Sequence, residues 1–311
     1  MPPSSLPVRE SIKTAPPITQ NAFGHSLTVN ILTDEHTDEV LEFLAARPLH
    51  SVVMVGFIRD HGLVSPLNRG TFYACRDSAG RLEGVAVIGH ATLVEARTEE
   101  ALATFARVAR DCPGTHVMMG EREKIERFWD YYAEDGRSPR LICRELLMEL
   151  RWPVAAHEPV PELRLATPDE LEQVMTVQAE MAFEESGVNP LEVDPAGFRL
   201  RCARRVARDR VWVWVRDGRL VFKADIISDT PDVVYLEGIW VSPQERGKGY
   251  GLRCVSQLGR TLLARTRSVT LLVNERLPKA VAFYRRAGYK PCSYYDTIYI
   301  HTDRRRQPSR G

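Results

Sequence analysis

The sequence lacks several features that would fix a class at once. No stretch approaches the ~18 consecutive apolar residues of a membrane span. No apolar run like a signal peptide stands in MPPSSLPVRESIKTAPPITQ at the start. Both absences point to a soluble, cytoplasmic protein with no membrane partner. Net charge is also missing: 42 Lys and Arg stand against 41 Asp and Glu, so electrostatics make no case for a nucleic-acid partner. The six cysteines (Cys75, Cys112, Cys143, Cys202, Cys254, Cys292) form no CxxC pair, which argues against a zinc ribbon or a dithiol redox motif. They read as buried free thiols. The histidines are dispersed, with no metal-ligand spacing, so no metal is expected.

What is present is enough for two domains. The chain has 311 residues, 44% of them hydrophobic, more than one typical domain holds. Residues 1–26 are rich in Pro, Ser and Thr and read as a disordered arm. Pro153, Pro159 and Pro161 punctuate a linker over 152–162. The end, HTDRRRQPSRG (301–311), is a short basic tail that reads as solvated. Domains are therefore expected over 27–151 and 163–300.

The two halves resemble each other. Thr33-Asp34-Glu35 and Thr167-Pro168-Asp169 each place a Thr cap and acidic residues before an apolar-periodic helix. Hairpins follow, turning at Asp77-Ser78-Ala79-Gly80 and at Asp217-Gly218. THVMMGEREKIERFWDYY and SVTLLVNERLPKAVAFYRR then each read as a strand running into a helix. The shared order, helix, hairpin, helix, strand, helix, strand, reads as a tandem duplication. The fold class is α+β, a mixed sheet flanked by helices in each half.

One segment carries chemistry. VVYLEGIWV (233–241) is β-rich, and alternation places Tyr235, Glu237, Ile239 and Val241 on one face. Arg246-Gly247-Lys248-Gly249-Tyr250-Gly251 follows, and Leu252, Val255, Leu258 and Leu262 then recur at helical spacing. Strand, glycine loop, helix is the layout of a phosphate site, because a helix start exposes unpaired N–H groups and partial positive charge. The GxxxxGK[ST] loop is absent, and GxGxG is not the GxGxxG dinucleotide pattern.

Arg246-x-x-Gly249-x-Gly251 after Val241-x-Pro243 resembles the [QR]-x-x-G-x-[GA] signature of the GNAT superfamily of acyl-CoA-dependent N-acyltransferases. Leu271-Leu272-Val273-Asn274 resembles that family's fifth strand. Ala280, Phe283-Tyr284 and Gly288-Tyr289 resemble its A-x-x-[LF]-Y-x-x-x-G-[FY] helix. The resemblance covers about residues 163–300 and is weak over 27–150, as in tandem members with a degenerate first copy. It implies a V-shaped cleft between the fourth and fifth strands of the second half, with Gly238 placed for a bulge. Acetyl-CoA is the implied co-substrate, held by Ile239, Trp240, Val241, Arg246, Gly247, Lys248, Gly249, Tyr250, Gly251, Asn274 and Phe283. Asn274 is assigned because Leu277 stands where the family often has Asn.

The implied catalytic residues are Glu237, as base toward an amine, and Tyr284, as acid toward the departing thiolate. Glu184 and Glu185 are the fallback acids. Trp212, Trp214 and Trp240 read as core or cleft walls, and Tyr235 as pocket or packing. The segment from Met181 to Pro195 is acidic and points to a cationic acceptor. The acceptor itself is a small-molecule or protein amine, and the assembly a monomer or homodimer. The first half has no glycine loop, and setting Gly120-Glu121-Arg122 on Asn274-Glu275-Arg276 brings Asp130 opposite Tyr284. It is therefore expected not to bind acetyl-CoA. The competing function is a non-catalytic acyl-CoA-sensing module.

Overall fold

The computed structural model describes residues 18–19, 27–152 and 154–301. Apart from the two-residue strand β1 (Ile18–Thr19), which pairs with the next strand, the expected disordered arm lies outside the described residues. So does the basic tail beyond His301.

Each half runs through the same elements. The first contains β2 (Thr28–Ile31), α1 (Thr37–Ala45), α2 (Pro48–His61), β3 (Thr71–Arg76), β4 (Leu82–Ile88), β5 (Ala91–Ala96), α3 (Glu99–Asp111), β6 (Val117–Glu121), α4 (Arg122–Tyr132) and β7 (Pro139–Leu150). The second contains β8 (Arg164–Leu165), α5 (Leu171–Ser186), α6 (Pro190–Val193), α7 (Pro195–Ala207), β9 (Val211–Arg216), β10 (Arg219–Asp229), β11 (Val233–Val241), α8 (Tyr250–Leu263), β12 (Ser268–Asn274), α9 (Pro278–Arg286) and β13 (Lys290–Ile300). Only the short α6 breaks the correspondence. Thr33 and Thr167 each open a capping box, closed by His36 and by Glu170. Asp217 and Gly218 both take positive φ, the geometry a two-residue hairpin turn needs.

All thirteen strands join one sheet, in the order β1-β2-β3-β4-β5-β6-β13-β7-β12-β11-β10-β9-β8. Two contacts are parallel, β5 with β6 and β11 with β12; the rest are antiparallel. The halves exchange their last strands. β13 pairs with β6 of the first half, and β7 pairs with β12 of the second. β7 and β13 also pair with each other, from Lys290↔Glu149 to Ile300↔Pro139.

Helices cover both faces. In the second half Cys254, Val255, Leu258 and Leu262 of α8 pack on Val234, Leu236, Val269 and Leu271. Each such side chain, removed from water, contributes roughly 1.5–3 kcal/mol. On the other face Val174 and Val177 of α5 and Val206 of α7 pack on Val211 and Val213. Helix α2 reaches across from the first half, so that Val52 covers Val233 and Tyr235. Gly56 permits this approach, because a Cβ there would lie 2.7 Å from the Ser228 Cβ. Arg210 of the second half grips Asp60 of α2 through both guanidinium nitrogens, at 2.5 and 2.6 Å.

Candidate active site

The site is organised by an irregularity in β11. Lys223 lies opposite Trp240 and Asp225 opposite Glu237, so β11 carries one residue more than β10 across that interval. Gly238 takes φ +60 there, and a Cβ would come within 2.7 Å of Lys223 Nζ. Only glycine suits this position. Lys223, fully buried, donates to Gln178 Oε1 at 2.7 Å and to Gly238 O at 3.3 Å. It also pairs with Asp225 at 2.7 Å, which in turn binds Arg205 at 2.9 Å. Burial draws the Lys223 pKa down, while Asp225 pulls it back up.

The bulge corrects the expected alternation. Tyr235, Glu237, Ile239 and Val241 do not share a face. Tyr235 packs under α2, and its hydroxyl donates to Glu237 Oε1 at 2.8 Å. Ile239 and Val241 join Val234 and Leu236 in the core beneath α8 and α9. Trp240 turns the other way, toward Val211 and Val213. An extra residue shifts the period-2 pattern by one, so every side chain beyond it changes face.

The strands part just beyond. β11 pairs with β12 only from Val233↔Ser268 to Leu236↔Leu271. β12 runs on along β7 as far as Asn274↔Glu145. Glu237–Val241 therefore has no strand partner on its β12 side, which is the implied V-shaped opening with a bare backbone edge.

At the wide end lies the glycine loop. Gly247 and Gly249 have φ +80 and +82, with nothing within 4 Å of where a Cβ would stand. Gly251 is needed for a different reason: a Cβ there would lie 2.9 Å from Val241 Cγ2 and 3.4 Å from the Phe283 ring. Phe283 thus packs against the start of α8. The N–H groups of Gly247 through Leu252 have no acceptor among the described residues; the first bond into the helix is Arg253 N–H to Gly249 O. Arg246 Nε holds Val241 O at 3.0 Å, and Lys248 Nζ holds Glu245 at 2.9 Å. Tyr250 stacks edge-on against Trp214. The fit to a pyrophosphate is that of six free donors on an open, positively biased turn.

Asn274 is partly committed already. Its Oδ1 accepts from Arg276 N–H at 2.9 Å, shaping the turn into α9. Tyr284 is half-buried against Phe283 and Tyr289. Burial raises its pKa well above the ordinary phenol value, so the group keeps its proton at neutral pH.

Glu237 does not stand alone. Glu185, near the end of α5, accepts from Tyr299 Oη at 3.1 Å. Glu145, on β7, accepts from Thr297 Oγ1 at 2.7 Å. None of the three carboxylates forms an ion pair among the described residues. Crowding by protein raises the pKa of Glu145 to about 8, reinforced by Glu185 and Glu237, and raises that of Glu185, reinforced by Glu237. Glu185 and Glu237 remain open to solvent while Glu145 is buried, as befits the mouth and floor of a cleft. Glu184 makes no comparable contact. Glu145 was missed from the sequence. The signal available was a carboxylate between Cys143 and Leu147, two apolar residues of the same strand face.

The first half shows why its own opening differs. β5 and β6 pair only at Ala91↔Val117 and Thr92↔Met118, so they too diverge. Arg47 spans the gap, bound to Glu95 at 2.6 Å and Glu121 at 2.5 Å, and Lys124 adds a 2.7 Å pair to Glu95. At the start of α3, Thr98 Oγ1 accepts from Ala101 N–H, and Glu99 and Glu100 occupy the first turn. A side-chain cap and two carboxylates stand where an incoming phosphate would need free donors.

Among the described residues no helix is long and apolar enough to cross a membrane, and no cluster of His, Cys, Asp and Glu could hold a metal ion. Residues 173–289 match the Acetyltransferase (GNAT) family, as the loop and the last helix implied. No curated protein matches the chain in sequence. Three solved structures share the fold over nearly the whole described chain. A GNAT-family acetyltransferase from Colwellia psychrerythraea is 11% identical, with 88% of this chain and 99% of that one covered and a TM-score of 0.56. A GCN5-related N-acetyltransferase from Sphaerobacter thermophilus is 15% identical, covering 88% and 94%, with a TM-score of 0.56. A tandem GNAT protein from the clavulanic acid biosynthesis pathway is 16% identical, covering 89% and 99%, with a TM-score of 0.57. The chain thus has a tandem GNAT-like fold, and within its second half residues 173–289 match the GNAT acetyltransferase family.

Proposed function

We propose that residues 163–300 are the catalytic domain of an N-acetyltransferase, and that residues 27–151 are a degenerate copy forming one wall of the acceptor site. Acetyl-CoA is the proposed donor. The observation that carries this reading is the row of free N–H groups from Gly247 to Leu252 at the wide end of the β11/β12 opening. Gly247, Lys248, Gly249, Tyr250 and Gly251, with Arg246, hold the pyrophosphate. The bare edge of Ile239, Trp240 and Val241 takes the pantetheine arm, flanked by Phe283 and by the amide of Asn274.

The acceptor is an amine bound among Glu145, Glu185 and Glu237. An ammonium must lose a proton before it can attack a thioester, and Glu237, directly or through water, takes it. Backbone N–H groups along Ile239–Val241 face the carbonyl oxygen, where negative charge develops. Tyr284, which burial keeps protonated, stands as the general acid that gives its proton to the departing thiolate. Holding both reactants in one opening supplies much of the rate.

The test combines calorimetric titration with acetyl-CoA and a thiol-release assay over a panel of amines. Binding together with amine-dependent thiol release is the expected result. Binding without release from any amine would leave a sensing module in its place, and no binding would remove the reading altogether.

A further inference from the structure

Beside the same opening stands a cation that nothing in the acyl-transfer chemistry uses. Arg69 belongs to the first half, in the loop before β3. It is one of three described non-glycine residues with positive φ, at +58. Such a conformation is unfavourable for an L-residue and persists only where the surroundings enforce it. Here they do. Asn68, fully buried, ties the loop to Gly62 O and Leu63 O at 2.8 and 3.1 Å. Arg69 O accepts from Ala91 N–H at 3.0 Å. Gly70 and Gly89 touch backbone to backbone, so that a Cβ on Gly89 would fall 2.6 Å from Gly70 Cα.

The loop holds Arg69 beside the Ala91↔Val117 pair, and Val117 in turn pairs with Tyr299 of β13, whose hydroxyl reaches Glu185 at the opening. Its charge is within electrostatic reach of Glu237, Arg201, Arg205 and Tyr299, and of the stacked rings of His90 and His116, whose centroids are 4.9 Å apart. It remains accessible to solvent. Among the described residues it has no hydrogen-bond or ion-pair partner, whereas Arg205 and Arg201 are bound to Asp225 and Asp194. The opening is therefore bipolar. Glu185 and Glu237, carboxylates without an ion-pair partner, lie at one part above the buried Glu145, and an unpaired guanidinium backed by further cations stands at the other.

We propose that Arg69 binds a carboxylate on the acceptor, and that the acceptor is an amino acid or a close relative, with its reacting amine toward Glu237. This rests on the acyl-transfer reading and deepens it. A guanidinium matches a carboxylate with two parallel N–H···O bonds, so the first half supplies a specificity residue to a reaction carried out by the second.

The experiment compares amino acids with their primary amides as acceptors in the thiol-release assay, in the intact protein and in Arg69→Gln and Arg69→Lys. A hydrogen-bonded charge pair of this kind is worth roughly 1.5–3 kcal/mol, about 10- to 150-fold in kcat/KM. The intact protein should prefer acids to amides by that factor. Arg69→Gln should collapse the ratio toward unity by raising KM for the acids, and Arg69→Lys should restore part of it. The dissociation constant for acetyl-CoA, measured on the same variants, should not move, which separates this effect from misfolding. Equal use of acids and amides by the intact protein overturns the inference, as does an unchanged ratio in Arg69→Gln. Either result leaves amine acetylation standing. If neither series releases thiol while other amines of the panel do, this inference fails and acyl transfer stands; if no amine at all releases thiol although acetyl-CoA binds, the acyl-transfer reading fails and this one falls with it.

Discussion

Lys223 Nζ donates to the carbonyl of Gly238 at 3.3 Å, joining a fully buried ammonium to the residue whose left-handed backbone makes the bulge in β11. That contact is central to the geometry of the site. It leaves Glu237 on the α2 and α5 side, while Ile239 and Val241 turn beneath α8 and α9. Replacing Lys223 with Met would strand Asp225 with Arg205 as its remaining ionic partner. Breaking a buried pair costs roughly 3–5 kcal/mol, and the surviving Arg205 contact places this case at the low end. Urea unfolding of Lys223→Met should show that loss, with weakened acetyl-CoA binding. A stability change under about 1 kcal/mol would mean the bulge does not depend on the lysine.

The two kinds of glycine in the loop should fail differently. Gly249→Ala meets no neighbouring atom, but φ +82 costs an L-residue about 1–2 kcal/mol. Calorimetry should show acetyl-CoA affinity reduced roughly 5- to 30-fold with little change in thermal stability. Gly251→Ala instead presses on Val241 Cγ2, so stability should fall along with affinity. Identical behaviour of the two variants would contradict this division.

Tyr284→Phe removes a protonated, half-buried hydroxyl and keeps the ring that packs on Phe283 and Tyr289. General acid catalysis contributes typically 10²–10⁴-fold. The turnover number in the thiol-release assay should drop by about 100-fold or more, with acetyl-CoA affinity within a factor of a few. Full turnover in the variant would assign the proton to another donor.

Glu145 makes the protein's stability depend on pH. Its pKa stands at about 8, against an unperturbed 4.5. Between those values the folded chain binds a proton that the unfolded chain has released, so stability falls as pH rises through that window. The contribution is fully present below about pH 4.5 and lost above about pH 8. Glu145→Gln stays neutral throughout and should be the more stable form at pH 8, with the gap closing toward pH 5. Parallel melting curves for the two proteins across this range would be inconsistent with a raised pKa.

One molecule of acetyl-CoA should bind per chain. Thr98 already caps α3, and Glu99 and Glu100 oppose an anion there, while Arg47 bridges Glu95 and Glu121 across the parted strands. A calorimetric stoichiometry near two would show that the first opening is also used.

Much of this was legible in the sequence because the signals are local. A Thr before acidic residues, an Asp-Gly turn, and a glycine loop between a β-rich run and an apolar-periodic helix each depend on a few neighbouring residues. Gly238 was also placed correctly as a bulge. Strict alternation nevertheless sets Ile239 and Val241 on the wrong face, because the one-residue shift that the bulge introduces depends on how β11 pairs with β10. Glu145 and Arg69 were invisible for another reason. Their meaning comes from what lies across the opening, and neither strand partners nor loop strain can be read from the letters around them. The partner of LICRELLMEL is likewise not written in it, since an apolar strand would suit either half.

The exchange of β7 and β13 has a consequence for synthesis. A ribosome delivers residues 27–150 first, yet the edge of β6 is sealed only by Tyr295 through Tyr299, among the last described residues to emerge. The first half must therefore wait, with one sheet edge open, for nearly the whole remainder of the chain. Nascent chains halted shortly before β13 would expose that edge to any passing strand, which makes the interval before completion the time of greatest exposure to aggregation.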